Sequence, residues 1–443
     1  MINLTTQITK YIIVILSALY TMKCFTVFRS KHEVNRGGAY VVQNILMFMV
    51  HFCCYLIIYI NIPEVKVIAF YLAQVITFLA TIILHSILYK RASRLLVNNM
   101  CFLLMVGFVI LTRLDFDLAV RQFMIAVVAI VIALVIPIMI ARFRFLEKLT
   151  VFYGILGILV IGSVSVFGMT VNGATNWIQI GPVSFQPSEL AKVLFVFFVA
   201  AALQEKPSFK RVVAISAAAG AHVLLLVYQT DLGGAVIFSM VYLFMLYMAT
   251  EDFRYMILGL FGFSGAALVG YKLFDHVKVR VTVWLNPWPH YTDKGYQIVQ
   301  SLFAISTGSW FGVGLFKGQP LTIPIVVSDY IFSAISEEMG AVFCICLLLI
   351  YTSCFVMFIN ISLQLSNPFY KLLAVGLSVS YAFQIFLCVG GVTKMIPHTG
   401  VTLPLISNGG SSILSTIIVF AVIQGLYLLK QKEVHGDEKA RSK

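Results

Sequence analysis

The sequence predicts an all-α fold, a polytopic helical bundle that is integral to a membrane. Of the 443 residues, 60% are hydrophobic and 11% are charged, whereas about 25% charged residues is usual in a soluble domain. Apolar runs of about 20 residues recur along the chain, which is the length that an α-helix needs to cross the hydrocarbon core. The strands of a membrane β-barrel would instead appear as short alternating segments, so these runs exclude that class.

Each apolar run is interpreted as one spanning helix, which gives about thirteen spans in total. The predicted spans lie near residues 11–29, 40–61, 66–88, 95–112, 122–141, 147–169, 187–203, 212–229, 231–249, 254–273, 331–358, 369–389 and 410–430. We divide the chain into residues 1–95, which hold about three spans joined by short loops, and residues 96–443, whose outer loops carry unusual polar segments. The largest polar segment covers residues 274–330, and we call it the polar block.

Lysine and arginine residues occupy alternate loops, which predicts the orientation of the bundle. The clusters are Arg29, Lys31 and Arg36; Lys90, Arg91 and Arg94; Arg142, Arg144 and Lys148; Lys206, Lys210 and Arg211; and the C-terminal tail. Because cytoplasmic loops are the cationic ones, we expect a cytoplasmic C-terminus, an outer N-terminus and an outer polar block. The net charge of +13 reflects these loops and suits anionic membrane lipids; without a basic stripe it does not indicate a nucleic-acid partner.

The eight cysteines all fall inside predicted spans. They are Cys24, Cys53, Cys54, Cys101, Cys344, Cys346, Cys354 and Cys388. None has the CxxC spacing of a metal site, so we interpret them as small packing residues. The first ten residues lack a charged segment followed by a small-residue cleavage site, so the first span is expected to be retained.

The polar block holds three segments that suit a surface handling a polar substrate at the membrane face. These segments are WLNPWPHYTDKGYQ (Trp284–Gln297), SLFAISTGSWFGVGLFKG (Ser301–Gly318) and SDYIF (Ser328–Phe332). They combine tryptophan, proline, glycine and a few charges inside a chain that is otherwise strongly apolar.

Several carboxylates lie within polar motifs near the outer ends of predicted spans, namely Glu189, Asp231, Asp293, Asp329 and Glu337. A charge at the bilayer centre costs roughly 2.5–3.5 kcal/mol, so their common level favours a shared site. The alternative is local: carboxylates at helix starts cap the backbone or favour the helix dipole. From Asp329, the residues Ser333, Ser336, Glu337 and Gly340 share a helix face that is expected to line a cavity. Glu338 points elsewhere and is interpreted as structural.

The last outer loop, Gly390–Ser412, is rich in glycine and hydroxyl groups. Irregular backbone at membrane depth is tolerated only where it is buried in protein or lines water. The sequence Gly409-Gly410-Ser411-Ser412 begins the last span with free N–H groups, which can hold an anion. Lys394 and His398 add cationic groups nearby.

These motifs resemble the SEDS family, whose members include FtsW, RodA and SpoVE, over about residues 100–430. The matching segments are Gly173–Lys192, Gln229–Ala235, Asn286–Gly308, Ser328–Gly340 and Gly400–Ser412. The resemblance implies a core of ten spans in the bacterial cytoplasmic membrane that polymerises lipid II into glycan strands with a class B penicillin-binding protein. It implies that the substrate is bound by Glu189, Lys192, Asp231, Gln297, Asp329, Glu337, Lys394 and Ser411.

The chemistry implied by the resemblance is glycosyl transfer. The 4-hydroxyl of one sugar attacks the anomeric carbon of another and displaces undecaprenyl pyrophosphate with inversion. A carboxylate base contributes roughly 10²–10⁴-fold, and cations stabilise the departing pyrophosphate. Either side chains or a divalent cation such as Mg²⁺ or Mn²⁺ would supply that charge; the sequence identifies no metal ligands and no certain cofactor.

One position departs from the family pattern, in which an aspartate follows Asn-Pro-Trp by two residues and is the proposed base. Here His290 occupies that position, and the nearest carboxylate is Asp293. Either His290 is the base, or Asp293 reaches the same point, or the activity has been lost. Asn176 also replaces a common arginine, and Asn408 replaces a common tyrosine.

Three functions therefore remain open from the sequence. The first is a lipid II polymerase. The second is a weak or inactive relative that activates a penicillin-binding protein as a scaffold, which the His290 substitution favours. The third is a lipid II flippase, which membrane-level charges would suit but which the absence of a convincing internal repeat disfavours.

Overall fold

The computed structural model describes residues 2–29, 33–171, 174–181 and 183–441, and Lys31, Gly173 and Pro182 lie outside the described part. The helices of the described part, in chain order, are α1 (Ile2–Arg29), α2 (Glu33–Asn61), α3 (Val65–Leu88), α4 (Arg94–Leu114), α5 (Phe116–Ala133), α6 (Ile136–Arg142), α7 (Thr150–Phe167), α8 (Pro187–Leu203), α9 (Phe209–Tyr228), α10 (Leu232–Thr250), α11 (Phe253–Leu273), α12 (Asp275–Leu285), α13 (Tyr296–Gly308), α14 (Ile331–Leu363), α15 (Pro368–Val392) and α16 (Gly410–Arg441). The predicted helical membrane bundle is confirmed.

Within the described residues, 12 helical segments are long and apolar enough to cross a membrane. One of them, Phe116–Arg142, joins α5 and α6. The sequence predicted about thirteen spans, and the additional one was 187–203. That segment forms α8, which has 17 residues and is shorter than the segments that qualify. The described residues therefore hold 12 candidate spans and, in place of the thirteenth predicted span, one slightly shorter helix, while the predicted orientation and the division of the chain at residue 95 stay predictions.

Three short strands precede α8, and the sequence analysis did not anticipate them. They are β1 (Met169–Val171), β2 (Ala174–Ile180) and β3 (Val183–Phe185), paired antiparallel in the order β1-β2-β3. Strands of three to seven residues give too short an alternation to be distinguished from an apolar run. They lead directly into Gln186 and the first turn of α8.

Helix α4 lies at the centre of the bundle, since every residue from Leu95 to Thr112 is buried. It packs against α2, α3, α5, α14 and α16. A buried polar chain joins it to its neighbours: the Tyr20 hydroxyl of α1 donates to Asn99 Oδ1 at 3.0 Å, and Asn99 Nδ2 donates to Ser353 Oγ of α14 at 2.8 Å. The N-terminal helices therefore pack on the rest of the bundle.

The polar block 274–330 is mostly helical. It contains α12, α13 and two 3₁₀ turns at Trp288–His290 and Pro320–Thr322. Helix α12 follows α11 after one residue and ends at Leu285, and from Asn286 the chain leads towards α13. The block thus adds the short helix α12 directly after the membrane-length helix α11.

Helix α14 is broken at Gly340, whose φ of 86° and ψ of 170° are not helical. Residues 309–319, which we call the 309–319 loop, fill the break. The backbone hydrogen bonds are Ala341 N to Ser309 O (2.9 Å), Val342 N to Trp310 O (3.0 Å), Val313 N to Glu337 O (3.0 Å) and Gly314 N to Glu338 O (2.9 Å). The orphaned backbone groups on both sides of the break are therefore satisfied, and residues 331–339 form a separate half-helix.

Candidate active site

A cavity of about 290 Å³ lies between α12, the start of α13, the residues before α14 and the loop after α15. We call it the α12 cavity. Its polar and aromatic lining residues are Arg280, Trp284, Lys294, Gln297, Asp329, Tyr330, Lys394 and His398. Of the residues proposed from the sequence, Gln297, Asp329 and Lys394 come together here although they are far apart in the chain.

The α12 cavity carries an excess of positive charge. Arg280, Lys294 and Lys394 line it, while Asp329 is the one carboxylate among its described lining residues. The Asp329 Oδ2 atom lies 3.9 Å from His398 Nε2, and the His398 ring stacks on Tyr330 with 4.5 Å between ring centroids. A cavity with this balance favours an anion.

Arg280 joins α12 to the loop after α15. Its Nη1 atom donates to the Thr399 carbonyl oxygen at 3.3 Å. Burial lowers the pKa of Arg280, and the negative charges of Asp329 and then Asp231 act in the opposite direction. Because a guanidinium is not deprotonated in proteins, Arg280 provides a fixed positive charge between these two carboxylates.

Lys394 holds the far end of α12 against the loop after α15. Its Nζ atom donates to the Leu285 carbonyl oxygen at 3.4 Å, and Trp284 Nε1 donates back to the Lys394 carbonyl oxygen at 3.2 Å. The carbonyl groups at a helix C-terminus attract a cation. Lys394 therefore lines the cavity and also fixes the C-terminal end of α12.

Asp231 belongs to a neighbouring polar network and does not line the α12 cavity. It is the N-cap of α10, where it accepts from Gly234 N at 2.8 Å. It also accepts from Ser188 Oγ at 2.9 Å and Gln186 Nε2 at 3.3 Å. The capping alternative considered from the sequence describes this residue, and its proposed role in substrate binding stays a prediction.

Glu189, Lys192 and Ser411 belong to the same network. Lys192 Nζ lies 2.9 Å from Glu189 Oε2, with side chains 7% and 12% exposed, and Ser415 Oγ donates to Glu189 at 2.7 Å. Ser411 Oγ accepts from the Gln186 backbone N–H at 2.9 Å. None of the three lines the cavity. Their bonds join the starts of α8 and α16, and their binding roles stay predictions.

The helix face that begins at Asp329 does not line one cavity as the sequence suggested. Ser333 Oγ forms a 2.7 Å hydrogen bond with Ser301 Oγ of α13. Glu337 Oε1 accepts from the Gln319 backbone N–H at 2.9 Å, while Glu337 Oε2 is buried without a hydrogen-bond partner among the described residues. Beyond Asp329 this face therefore packs on α13 and the 309–319 loop.

Glu338 has the structural role that the sequence suggested. Arg113 Nε of α4 donates to its Oε1 atom at 3.1 Å, and so does the Phe316 backbone N–H. The Arg113 guanidinium also lies over the Phe316 ring, 4.5 Å from the centroid. The ion pair fixes the 309–319 loop on the central helix.

His290 and Asp293, the two proposed bases, lie in the turn between α12 and α13. The His290 carbonyl oxygen accepts from Asp293 N at 3.1 Å and from Gly295 N at 2.9 Å. Asp293 is exposed and His290 is half-buried, and neither lines the cavity. Lys294, which follows Asp293, does line it, so the turn adjoins the cavity and we call it the rim.

The sequence analysis missed Arg280, Lys294 and Trp284 as site residues. The signal for two of them was present, because Arg280 and Trp284 are four residues apart and share one face of a helix. Lys294 lies beside Asp293, in the segment where a general base was predicted, but it was not itself proposed as a site residue. Asn176 of β2 and Asn408, which depart from the family pattern, do not line the cavity either.

A larger apolar groove of about 990 Å³ adjoins the α12 cavity. It is lined by α9, α10, α11, α12 and α15, mainly with aliphatic and aromatic side chains. Arg280, Ile396 and His398 line both spaces. The cationic cavity therefore lies directly beside an apolar groove that runs along membrane-length helices.

The described residues contain no group of three or more histidine, cysteine, aspartate or glutamate side chains that could hold a metal ion. In the α12 cavity Asp329 supplies one carboxylate. Mg²⁺ is commonly bound by one or two carboxylates together with substrate phosphates and water. A divalent ion at Asp329 would accordingly need phosphate oxygens from the substrate.

The fold and the site together define a multi-pass membrane protein in which a cationic cavity adjoins an apolar groove. Residues 92–431 match the family model of FtsW, RodA and SpoVE, which is described as cell cycle protein. The chain belongs to this family, and the resemblance found in its motifs is confirmed. Helices α1–α3 precede the matched stretch.

Curated relatives match this chain over part of their own length, 57% for the first described here and 71% for the second. It is 38% identical over 268 residues to peptidoglycan glycosyltransferase RodA of Mycobacterium tuberculosis, which is 57% of this chain and 57% of that protein. It is 36% identical over 265 residues to stage V sporulation protein E of Bacillus subtilis, which is 58% of this chain and 71% of that protein.

Solved structures share the fold. A chain from a peptidoglycan synthase complex, described as coordinating polymerization and crosslinking, has a TM-score of 0.65 at 25% identity; the match covers 76% of this chain and 98% of that chain. The rod shape determining protein RodA of Thermus thermophilus has a TM-score of 0.59 at 25% identity, with 77% and 98% covered. The shared fold includes nearly all of those chains and leaves part of this one outside it.

Proposed function

We propose that the protein is a peptidoglycan glycosyltransferase that polymerises lipid II at the outer face of the bacterial cytoplasmic membrane. One observation carries the proposal: the cationic α12 cavity lies beside the apolar groove, and Arg280, Ile396 and His398 line both. Lipid II has a matching form, since a sugar and a pyrophosphate are attached to a long isoprenoid chain. The groove would hold the isoprenoid, and the cavity would hold the pyrophosphate.

In this proposal Arg280, Lys294 and Lys394 stabilise the leaving pyrophosphate. The 4-hydroxyl oxygen of the acceptor sugar bonds to the anomeric carbon of the donor, and the bond from that carbon to the pyrophosphate oxygen breaks. The electron pair leaves with the pyrophosphate, where fixed cations stabilise charge that develops in the transition state. Replacing Arg280 by lysine is not conservative, because the Arg280 guanidinium also donates to the Thr399 carbonyl oxygen.

The hydroxyl proton needs a base at the rim or inside the cavity. His290 and Asp293 lie at the rim, and Asp329 is the carboxylate inside. A general base must come within hydrogen-bond reach of its proton in the complex, although geometry without substrate does not rule a candidate out. We therefore keep His290 and Asp293 and add Asp329 as a third candidate.

The proposed partner is a class B penicillin-binding protein. The structural relative from a peptidoglycan synthase complex supports this, because that complex is described in terms of polymerization and crosslinking. A second candidate function is a scaffold without polymerase activity. It is favoured by His290 in place of the family aspartate and by the location of His290 and Asp293 outside the cavity lining.

The test is polymerisation of purified lipid II by the purified full chain, alone and with its partner. The variants His290→Ala, Asp293→Ala and Asp329→Asn are compared with the wild type. We expect polymer from the wild type, and loss of at least about 100-fold in the variant that removes the base. Movement of labelled lipid II across vesicles without polymer would support the flippase instead. No polymer with the partner present, together with activation of crosslinking, would support the scaffold.

A further inference from the structure

A second cavity lies at the opposite end of the bundle, between the start of α2, the end of α3 and the start of α4. It has a volume of about 70 Å³, and we call it the α2–α4 cavity. Tyr40, Asn44, Lys90, Arg94 and Asn98 are among its lining residues. A single water needs about 10–15 Å³ of such space, so the cavity can hold a group of several atoms.

The walls of the α2–α4 cavity are fixed by buried amide side chains. Asn98 Nδ2 of α4 donates to Gln43 Oε1 at 3.1 Å and to the Tyr40 carbonyl oxygen at 3.3 Å. Gln424 of α16 accepts from Ser93 N at 3.1 Å and donates to Ser93 O at 2.9 Å. Helix α16 therefore holds the turn between α3 and α4, and Asn98 holds α2 against α4. These side chains are already ordered, so ligand binding costs little further conformational entropy.

The charges around this cavity are all positive among its described lining residues. Lys90 and Arg94 are exposed at its mouth, no carboxylate lines it, and neither cation forms an ion pair with a described carboxylate. Lys430 of α16 lies near enough to Arg36 for their charges to interact. The Asn44 amide oxygen is buried without a hydrogen-bond partner among the described residues, and rotation of this amide would present its N–H₂ group to a ligand.

The surroundings of the cavity are apolar and face outward. On α3, just before Lys90, Ile87 is 65% exposed and Leu88 is 51% exposed. On α2, Val41 lines the cavity and is 55% exposed. An anion bound by Lys90 and Arg94 would thus have exposed apolar surface beside it. Acyl chains can pack on such a surface, whereas a free phosphate gains nothing from it.

We propose that the α2–α4 cavity binds the phosphodiester headgroup of an anionic phospholipid from the inner leaflet. Lys90 and Arg94 pair with the phosphate, Asn44 and Tyr40 contact it from α2, and the acyl chains lie along α3. Basic pockets between membrane helices on the cytoplasmic side bind such headgroups. The lipid bridges α2 and α3 to α4, so it stabilises the attachment of the N-terminal helices to the bundle. The site is independent of the proposed polymerase activity.

The test uses the purified full chain in detergent with phosphatidylglycerol, phosphatidylcholine or inorganic phosphate as the added probe. Native mass spectrometry counts retained lipids, and thermal unfolding reports stabilisation by bound ligand. We expect phosphatidylglycerol to be retained and to raise the Tm of the wild type, with no such effect from phosphatidylcholine or phosphate. An equal rise in Tm with phosphate would overturn the assignment to a lipid.

The decisive variant is the double substitution Lys90→Gln with Arg94→Gln. Its matched control, Arg142→Gln with Arg144→Gln, removes the same charge from exposed residues of another cationic loop. We expect affinity for phosphatidylglycerol to fall at least tenfold in the first variant and to remain in the control. An equal loss in both would show a general surface effect and refute the site. Ala92→Glu, which adds a carboxylate to the cavity lining, gives a second test without removing either cation, and it should weaken binding similarly.

Discussion

The Lys10 ammonium of α1 donates a 3.0 Å hydrogen bond to the carbonyl oxygen of Gly312 in the 309–319 loop. The Tyr11 ring packs beside Phe311 of the same loop, with 5.4 Å between centroids. This loop fills the break in α14 and thereby holds the half-helix 331–339, which begins directly after Asp329 and Tyr330. A residue that precedes the family match is therefore joined to the wall of the candidate active site.

We predict that Lys10→Met loosens the 309–319 loop. A hydrogen bond from a charged group contributes about 1.5–3 kcal/mol when buried, and Lys10 is only partly buried, so we expect a loss of about 1 kcal/mol in the free energy of unfolding. Hydrogen exchange should be faster at the backbone amides of Val313 and Gly314, which bond to Glu337 O and Glu338 O.

Lys23→Met on the same helix is the control for Lys10→Met, because Lys23 is also half-buried and lies far along α1 from the loop. Exchange at Val313 and Gly314 should be unchanged in this variant, and Lys10→Arg should restore most of the protection. If Lys10→Met and Lys23→Met gave the same exchange pattern, the contact would have no positioning role.

Gly340→Ala should be among the most destabilising single substitutions in the chain. The φ of 86° and ψ of 170° at this position fall in a region that is essentially restricted to glycine, at about 1–3 kcal/mol per strained residue. A Cβ atom would also clash with the backbone nitrogen of Gly312, so the loop would have to leave the break. We expect a clear drop in Tm and loss of polymerisation.

The control is Gly162→Ala in the interior of α7, where a Cβ atom would meet nothing within 4 Å. Alanine is favoured over glycine in a helix by about 1 kcal/mol, so this variant should be neutral or slightly more stable. A normal Tm for Gly340→Ala would mean that α14 can straighten without cost, contrary to the paired backbone seen at the break.

The break at Gly340 also shows where sequence reasoning reached its limit. Long apolar runs predicted the spanning helices because length and hydropathy are local properties. The run 331–358 gave no sign of a break, since the cause is a loop that pairs with both halves of the helix. Likewise β1–β3 were too short to show a strand period.

The candidate site was also predicted only in part. Asp329, Gln297 and Lys394 were chosen as polar residues in unusual motifs, and they line one cavity. Glu189, Asp231 and Glu337 met the same criterion, but Asp231 caps α10, Glu337 accepts from a backbone N–H group, and Glu189 pairs with Lys192 and Ser415. Motif spacing identifies polar residues at one level, whereas only the packing of α12 decides which of them face a common space.

Arg280→Gln should weaken lipid II binding and slow polymerisation. A hydrogen bond to a charged group contributes about 1.5–3 kcal/mol, which corresponds to roughly a 10- to 150-fold change. If Arg280 contacts pyrophosphate mainly as its charge develops, the loss will appear in kcat more than in KM. Both constants should be measured with purified lipid II.

Lys278→Gln is the matched control for Arg280→Gln. Lys278 lies two residues away on α12 and pairs with Asp275 at 2.9 Å, with side chains 44% and 93% exposed. An exposed pair of this kind contributes little, so activity and stability should be near those of the wild type. Equal loss of activity in both variants would indicate that activity depends on the total charge of α12 and not on Arg280 in particular.

The last prediction separates the structural and binding roles of Asp231. Asp231→Ala removes a helix cap, at about 0.5–2 kcal/mol, and also leaves Ser188 and Gln186 without their acceptor. Asp252→Ala removes a simpler cap, since Asp252 accepts from Arg254 N at 2.9 Å, and it should cost less in thermal unfolding.

Asp231→Asn retains a good capping side chain but removes the charge that faces Arg280. If Asp231 is structural, Asp231→Asn will lose less stability than Asp231→Ala, and it will bind lipid II as tightly as the wild type or more tightly, because Arg280 then has less competing negative charge. If Asp231 binds the substrate directly, the same variant will be stable but will bind lipid II more weakly.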